Sequence, residues 1–231
     1  MFKAREMNPI NKSARLAGLI YLVYIVTHVV SDVWRDSFIL PGEAGATADK
    51  IMAHEGLFTL TAVGDLVAAA LFFLAAWALY ALLRPVDKNL ALLFLLLNLG
   101  GVALQCSSDL FLFAGQMLMK GPESLSVIRA DQLQALAMFF LDVREKGLAA
   151  AQLFYGLWIF PLGYLVFRSG FLPKALGIVL MVHCVTWTST FFQSFLFPGF
   201  SAITFISYPL GFLAEFGLAV WLLIMGVKER K

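Results

Sequence analysis

Six long apolar stretches constrain the fold of this chain more than any other feature. They are Leu16–Val33, Leu57–Leu83, Leu90–Met119, Leu148–Phe167, Leu172–Leu196 and Ile203–Met225. A helix that crosses a bilayer needs roughly 20 mostly apolar residues at about 1.5 Å of rise each. Hydrophobic residues make up 61% of the chain and charged residues 14%, too few charges to cover so apolar a soluble core. The sequence therefore predicts an all-α polytopic membrane bundle of six transmembrane helices, forming a single domain over residues 1–231.

The placement of Lys and Arg predicts how the helices are oriented. Cytoplasmic loops carry an excess of positive charge because positive segments resist translocation. With the N-terminus inside, the inner side collects eleven of the 17 basic residues: Lys3, Arg5, Lys12, Arg15, Arg84, Lys88, Arg168, Lys174, Lys228, Arg230 and Lys231. The other six lie on the outer side, mostly in longer loops: Arg35, Lys50, Lys120, Arg129, Arg144 and Lys146. Both termini are therefore predicted to be cytoplasmic.

Two of the predicted outer loops contain helical patterns. Residues Thr47–His54 are predicted to form a short helix on the membrane surface. Between Asp131 and Lys146, one helical face carries apolar residues, namely Leu133, Leu136, Phe140 and Val143. This pattern is typical of an interfacial helix or of an extension of the fourth helix above the membrane. Either arrangement could cover an outward-facing cavity, but a plain membrane-surface loop is the preferred interpretation.

Polar residues inside the spans indicate where a site could lie, because ionisable groups there are costly and usually face the bundle interior. Counted from the cytoplasmic helix ends at about 1.5 Å per residue, five of them fall in the outer half of the membrane. These candidate ligand-binding residues are His28, Asp65, Gln105, Gln152 and Glu215. The inner half is almost purely apolar. We therefore expect an outward-facing polar cavity, the alternative being that these groups only bond one another across helices.

The remaining polar residues in the spans are expected to be structural. Asp32 and Asp109 reach the outer boundary, where they are predicted to cap helix ends. His183 stands alone on an apolar helix, and Cys106 and Cys184 fall inside spans, so packing roles are expected for all three.

Three hypotheses of function follow from this arrangement. The first is a non-enzymatic protein that binds, senses or passes a small amphipathic or lipid-like molecule. The second is a metal-dependent intramembrane hydrolase using His28, Asp32, Asp65 and a further His, and the third is a proton-coupled transporter. Common catalytic and nucleotide-binding motifs are missing from the sequence. No catalytic residue, metal site or cofactor is therefore predicted.

The expected partners follow from the same composition. They are the lipid bilayer, a small amphipathic ligand and, since bundles of this size often dimerise, a second copy in a homo-oligomer. No basic run interleaved with aromatics suggests nucleic acid.

Several stretches resemble a bacterial integral-membrane family known as domain-of-unknown-function family 4386. The resemblance is carried, in order, by Ala14–Leu22, Leu40–Gly42, Glu55–Phe58 with Asp65 following, Leu79–Val86 and Gly163–Gly177. It implies a multi-pass protein of the bacterial cytoplasmic membrane. It implies no activity and no catalytic residues, so the site prediction depends on the polar residues alone.

Overall fold

The computed structural model describes residues 9–197, 199 and 202–227, and within them the fold is all-α, with no strand. The helices are α1 (Pro9–Phe38), α2 (Ala44–Ala53), α3 (Glu55–Leu83), α4 (Lys88–Met119), α5 (Ala130–Arg168), α6 (Lys174–Leu196), α7 (Ala202–Gly211) and α8 (Gly217–Ile224). A five-residue π-helical segment, Phe212–Phe216, joins α7 to α8, and a 3-10 turn lies at Glu123–Leu125.

Six helical segments are long and apolar enough to cross a membrane, which confirms the predicted fold class. They are Ile10–Phe38, Glu55–Leu83, Lys88–Met119, Ala130–Arg168, Lys174–Leu196 and Ala202–Ile224. The sixth span combines α7, the π segment and α8. The orientation stays a prediction, and five of the basic residues on which it depends lie outside the described residues: Lys3, Arg5, Lys228, Arg230 and Lys231.

The fourth predicted span begins much earlier than its apolar stretch. Helix α5 has 39 residues, about 59 Å at 1.5 Å per residue, and it includes the whole of Asp131–Lys146. The preferred interpretation of this segment as a surface loop is therefore wrong, and the alternative, an extension of the fourth helix, is confirmed. The buried face differs from the predicted one by about one position. Leu136 is exposed, while Leu133, Ala137, Leu141 and Arg144 are buried.

Short turns and the predicted surface helix connect the spans as the sequence indicates. The α3–α4 turn occupies residues 84–87, and in the α5–α6 turn Gly170 adopts a φ of 74°, which favours glycine. Helix α2 confirms the helix predicted at Thr47–His54. The backbone N–H of Leu40 donates to the Thr47 hydroxyl oxygen at 3.0 Å, which anchors α2 beside the end of α1.

The chain divides into two compact units, and α1, α3, α4 and α5 contribute residues to both. The first unit comprises the described parts of Met1–Tyr24, Leu71–Gly101 and Gln152–Lys231, and the second comprises Ile25–Ala70 and Val102–Ala151. An aromatic core fills the first unit, where the rings of Phe72 and Trp158 meet edge to face at 5.1 Å. An apolar core of the second unit includes Phe38, Ile51, Phe58, Ala62, Leu112 and Leu141.

Candidate functional sites

A buried ion network, here called the arginine cluster, lies in the second unit and consists of Arg35, Asp65, Asp109 and Arg144. Asp65 Oδ2 accepts from Arg35 Nη1 at 2.5 Å and from Arg144 Nη2 at 3.2 Å. Arg144 Nε also donates to Asp109 Oδ1 at 3.1 Å. All four side chains are almost completely buried. Because each comes from a different helix, these contacts link α1, α3, α4 and α5.

Close helix contacts beside the cluster explain why these charged groups can meet. Gly64 precedes Asp65, and a side chain there would overlap with the hydroxyl of Ser31 on α1. Gly147 lies about one turn after Arg144, and a side chain there would overlap with Ser108 on α4. Glycine at both positions lets neighbouring backbones approach closely. The short separations then bring arginine and aspartate within hydrogen-bond distance.

The edge of the arginine cluster is acidic and more exposed than its centre. Asp32 and Asp36 on α1 each bind Arg35 Nη2, the second at 3.3 Å, and Glu145 binds Arg144 Nη1 at 2.6 Å. Their side chains are 42%, 64% and 57% exposed, respectively. Asp36 and Glu145 are also near enough to repel each other electrostatically. With Asp65 and Asp109 included, five carboxylates therefore share the two guanidinium groups.

Two carboxylate oxygens in the cluster centre are buried and accept no hydrogen bond from the described residues. They are Asp65 Oδ1 and Asp109 Oδ2. A carboxylate oxygen carries lone pairs that favour a donor, and buried polar atoms are normally satisfied by protein or by water. The centre of the cluster therefore has spare accepting capacity, and the surplus of negative charge lies at its edge.

The cluster corrects the sequence-based predictions for four residues. Asp32 and Asp109 do not cap helices, because α1 continues to Phe38 and α4 to Met119. Both instead pair with arginines. Arg35 and Arg144 are not loop residues at the surface but buried helical groups. The i, i+3 spacing of Asp32 and Arg35 was the available signal, since an acidic–basic pair at that spacing shares a helix face.

A second polar site, here called the Glu215 site, lies in the first unit. The Tyr21 hydroxyl on α1 donates to Glu215 Oε2, and His183 Nε2 on α6 lies 3.4 Å from Glu215 Oε1. Tyr21 and His183 are buried, whereas 20% of the Glu215 side chain is exposed. His183 is therefore more than the packing residue that its apolar helix predicts, because it has a carboxylate partner.

The backbone at the Glu215 site is irregular. Glu215 lies within the π segment, which follows Pro209 on α7. Proline lacks the backbone N–H that would complete the helical ladder, and π-helical turns occur frequently at functional sites. A side chain at Gly211 would lie 2.7 Å from His183 Cε1, so α7 can approach the imidazole only with glycine there.

The structure divides the five predicted ligand-binding residues between the two units. His28, Asp65 and Gln105 belong to the second unit, and Gln152 and Glu215 belong to the first. His28 interacts electrostatically with Asp65, and Gln105 is buried about one turn before Asp109. Gln152 Oε1 accepts a hydrogen bond from Thr190 Oγ1 at 3.1 Å. That all five line one cavity stays a prediction.

The hydrolase hypothesis gains no ligand set from the part of the chain that is described. Within it, no three His, Cys, Asp or Glu side chains are grouped to hold a metal ion. Asp32 and Asp65, which that hypothesis needs as ligands, both bind Arg35. Cys106 and Cys184 are free thiols.

The all-helical fold with six membrane-length apolar helices defines a multi-pass membrane protein. The chain belongs to the family described as Domain of unknown function (DUF4386), whose model matches residues 16–226. The resemblance seen in the sequence motifs is thereby confirmed. An uncharacterized protein of the archaeon Archaeoglobus fulgidus is 29% identical over 167 residues, which cover 72% of this chain and 83% of the relative. No solved structure matches the chain. A bacterial cytoplasmic membrane stays a prediction.

Proposed function

We propose that this protein binds a small amphipathic molecule with a positively charged head group, at the acidic edge of the arginine cluster. The observation that carries the proposal is the charge imbalance of the cluster, five carboxylates against two guanidinium groups. Each guanidinium group already binds more than one carboxylate, so the surplus negative charge leaves room for a further cationic partner. A cationic head group would supply one.

The position of the surplus charge favours a ligand that arrives from the membrane boundary. The two buried aspartates hold the arginines, while Asp32, Asp36 and Glu145 remain between 42% and 64% exposed. Charges in an environment of low dielectric constant interact more strongly than in water. The edge therefore attracts a cation more strongly than the same carboxylates would on a soluble surface.

The apolar surface beside the acidic edge suits the tail of such a molecule. On α1, Val29 and Val33 flank Asp32 and expose 51% and 62% of their surface. A tail lying along this surface would remain in the hydrocarbon while the head group meets the carboxylates. The carboxylates of the edge and the apolar surface of α1 thus offer the two kinds of contact that an amphipathic ligand requires. The same contacts would serve binding, sensing or a step in passage across the membrane.

Native mass spectrometry with two probes of equal chain length tests this proposal. The protein, in a neutral detergent, is titrated with dodecyltrimethylammonium, and separately with dodecanoate as the anionic probe. We expect retention of the cationic probe in preference to the anionic one. Equal retention of the two probes would contradict the proposal, because the apolar tail alone would then account for binding.

A double variant locates the contact at the acidic edge. Asp36→Asn with Glu145→Gln removes two exposed carboxylates, each worth about 1 kcal/mol to a cation at 4 Å in water. Together they should weaken binding of the cationic probe about thirtyfold. Asp49→Asn, which changes an exposed carboxylate of α2 outside the cluster, is the matched control and should leave binding unchanged. Equal affinities in the double variant and the wild type would place the contact elsewhere.

A further inference from the structure

The Glu215 site has the parts of a proton-binding site, because its groups can gain and lose protons. Histidine and glutamate exchange protons readily, unlike the guanidinium group of arginine, which stays charged. The ionisable groups that face Glu215 are Tyr21 from α1 and His183 from α6, with Tyr24 stacked 6.0 Å from Tyr21. No arginine or lysine forms an ion pair with Glu215 in the part of the chain that the structure describes.

The hydrogen bonds around His183 indicate where a proton would be added. The Thr186 hydroxyl donates to the His183 carbonyl oxygen at 3.0 Å, and the same hydroxyl oxygen lies 3.5 Å from His183 Nδ1. Because that hydroxyl hydrogen is used, its oxygen is an acceptor toward the ring, which favours hydrogen on Nδ1. Nε2, facing the carboxylate of Glu215 at 3.4 Å, is then the nitrogen that can take up a proton.

We propose that His183 and Glu215 together bind one exchangeable proton within the membrane, with Glu215 as the group through which the proton enters and leaves. In the unloaded state the imidazole is neutral and the carboxylate anionic. A proton taken up on the carboxylate moves to Nε2, which gives an imidazolium that donates back to Glu215. Release follows the reverse order, so charge and protons balance at each step.

The difference in exposure between the two residues supports this direction of exchange. Glu215 is 20% exposed, whereas His183 is 1% exposed and reaches the surroundings only through its neighbours. The Tyr21 hydroxyl donates to Oε2 of Glu215, which leaves Oε1 facing His183. A carboxylate held in this way can pass a proton on and return to its anionic state.

The proposed proton site lies at the irregular backbone between α7 and α8, where the helical hydrogen-bond pattern is already interrupted. Glu215 belongs to the π segment, and Gly211 packs directly on the His183 ring. The His183 ring therefore contacts Gly211, just before the π segment, and faces Glu215, near the end of that segment. A change of charge on the ring acts on both positions. A site of this kind is what a proton-coupled carrier would use, yet the inference does not depend on the amphipathic ligand proposed above.

Tryptophan fluorescence of the full chain tests the proposal. The Trp187 and His183 rings lie 5.4 Å apart, and a protonated imidazole quenches a neighbouring indole. The Trp187 signal is obtained as the difference between wild type and Trp187→Phe. We expect it to fall as the pH is lowered, because the protonated imidazole is the quenching form. His183→Gln should abolish this change, because the imidazole is the group that quenches Trp187.

Carboxyl labelling of the unmodified protein provides a test that needs no variant to fold. Dicyclohexylcarbodiimide reacts with protonated carboxyl groups in apolar surroundings, and peptide mass spectrometry locates the adduct. We expect labelling at Glu215 that increases as the pH falls, with little at Asp65, which is completely buried and bound by two arginines. Asp65 is therefore an internal control in the same chain.

Two results would overturn the proposal. The first is a Trp187 signal that does not change with pH or whose change persists in His183→Gln. The second, which applies even if that variant does not fold, is labelling of Glu215 that is absent or independent of pH. Neither result would bear on the cationic probe, because that experiment changes only Asp36 and Glu145.

Discussion

The two polar sites differ in the cation that each one uses, and this difference determines what each can do. In the arginine cluster, Arg35 and Arg144 keep their charge at any physiological pH and bind aspartates through a fixed fork of donors. In the Glu215 site, the cationic partner is a histidine, whose charge depends on pH. The first arrangement is suited to permanent charge pairing between helices. The second is suited to a charge that comes and goes.

The two sites also differ in how deeply their carboxylates are buried. Asp65 and Asp109 are completely buried, so their charges depend on the arginines, and removing a partner leaves an uncompensated charge. Glu215 keeps some exposure and one neutral donor, Tyr21. A change at the arginine cluster should therefore cost more stability than an equivalent change at the Glu215 site.

The largest expected effect is that of Asp65→Ala. The substitution removes the buried carboxylate that accepts from both arginines, and with it the ion pairs that join α3 to α1 and α5. It should lower the free energy of unfolding by about 3–5 kcal/mol, measured by SDS titration of the detergent-solubilised protein. Asp49→Ala, on an exposed part of α2, is the control. A loss below about 1 kcal/mol, typical of an exposed pair, would show that the cluster is not a structural link.

A smaller effect is expected where the helices of the cluster approach closely. Gly147→Ala places a methyl group against Ser108 and should cost about 1–3 kcal/mol by overpacking. Gly56→Ala makes the same change in a helix with open space around it, and it should be neutral or stabilising by up to about 1 kcal/mol. Thermal unfolding of the two variants side by side gives the comparison. Equal unfolding temperatures would contradict the close approach of α4 and α5.

Tyr21→Phe should have a moderate effect at the Glu215 site. It deletes only the hydroxyl that donates to Glu215, and a hydrogen bond to a charged group contributes about 1.5–3 kcal/mol. Because Glu215 is partly exposed, water can replace the donor, and we expect a loss near the lower limit of that range. Tyr80→Phe is the matched control, since the rings of Tyr80 and Trp77 lie 5.8 Å apart and would keep that contact. The same SDS titration measures both variants, and identical losses would argue against a specific role for the Tyr21 hydroxyl.

The smallest effect on stability is expected at the acidic edge. Glu145→Gln removes an exposed partner of Arg144, and exposed ion pairs contribute about 0–1 kcal/mol. The variant should unfold almost as the wild type does, although it contributes to the loss of cationic probe binding. A large loss of stability would mean that the edge is part of the structural network and is not available to a ligand.

The spans were predictable because hydropathy is a local property of the sequence. Each apolar stretch contains enough consecutive residues to cross a bilayer, and no information about neighbouring helices is needed to see it. The same holds for the turn before Lys88 and for α2. Prediction failed at residues 131–146. There α5 continues beyond the apolar stretch, and the charged residues of this segment made a surface loop the preferred interpretation. Arg144 is buried there because it has partners on other helices.

The candidate sites were predictable in part. Asp65 and Glu215 were expected in the outer half of the membrane because a charge inside a span is unusual whatever surrounds it. Their partners were not predictable. Arg35 and Arg144 read as surface charges, and His183 as a packing residue, because each partnership depends on the rotation and depth of separate helices.

By itself, the sequence determined the class of fold, the number of spans and the presence of polar groups within them, since each follows from residues near one another in the chain. Only the tertiary structure decided which charges meet. Asp65 pairs with Arg35 across 30 residues and with Arg144 across 79, and glycines at the close approaches allow those contacts to form. The physical reason is that the energy of a buried charge depends on distances between helices, which no single segment encodes.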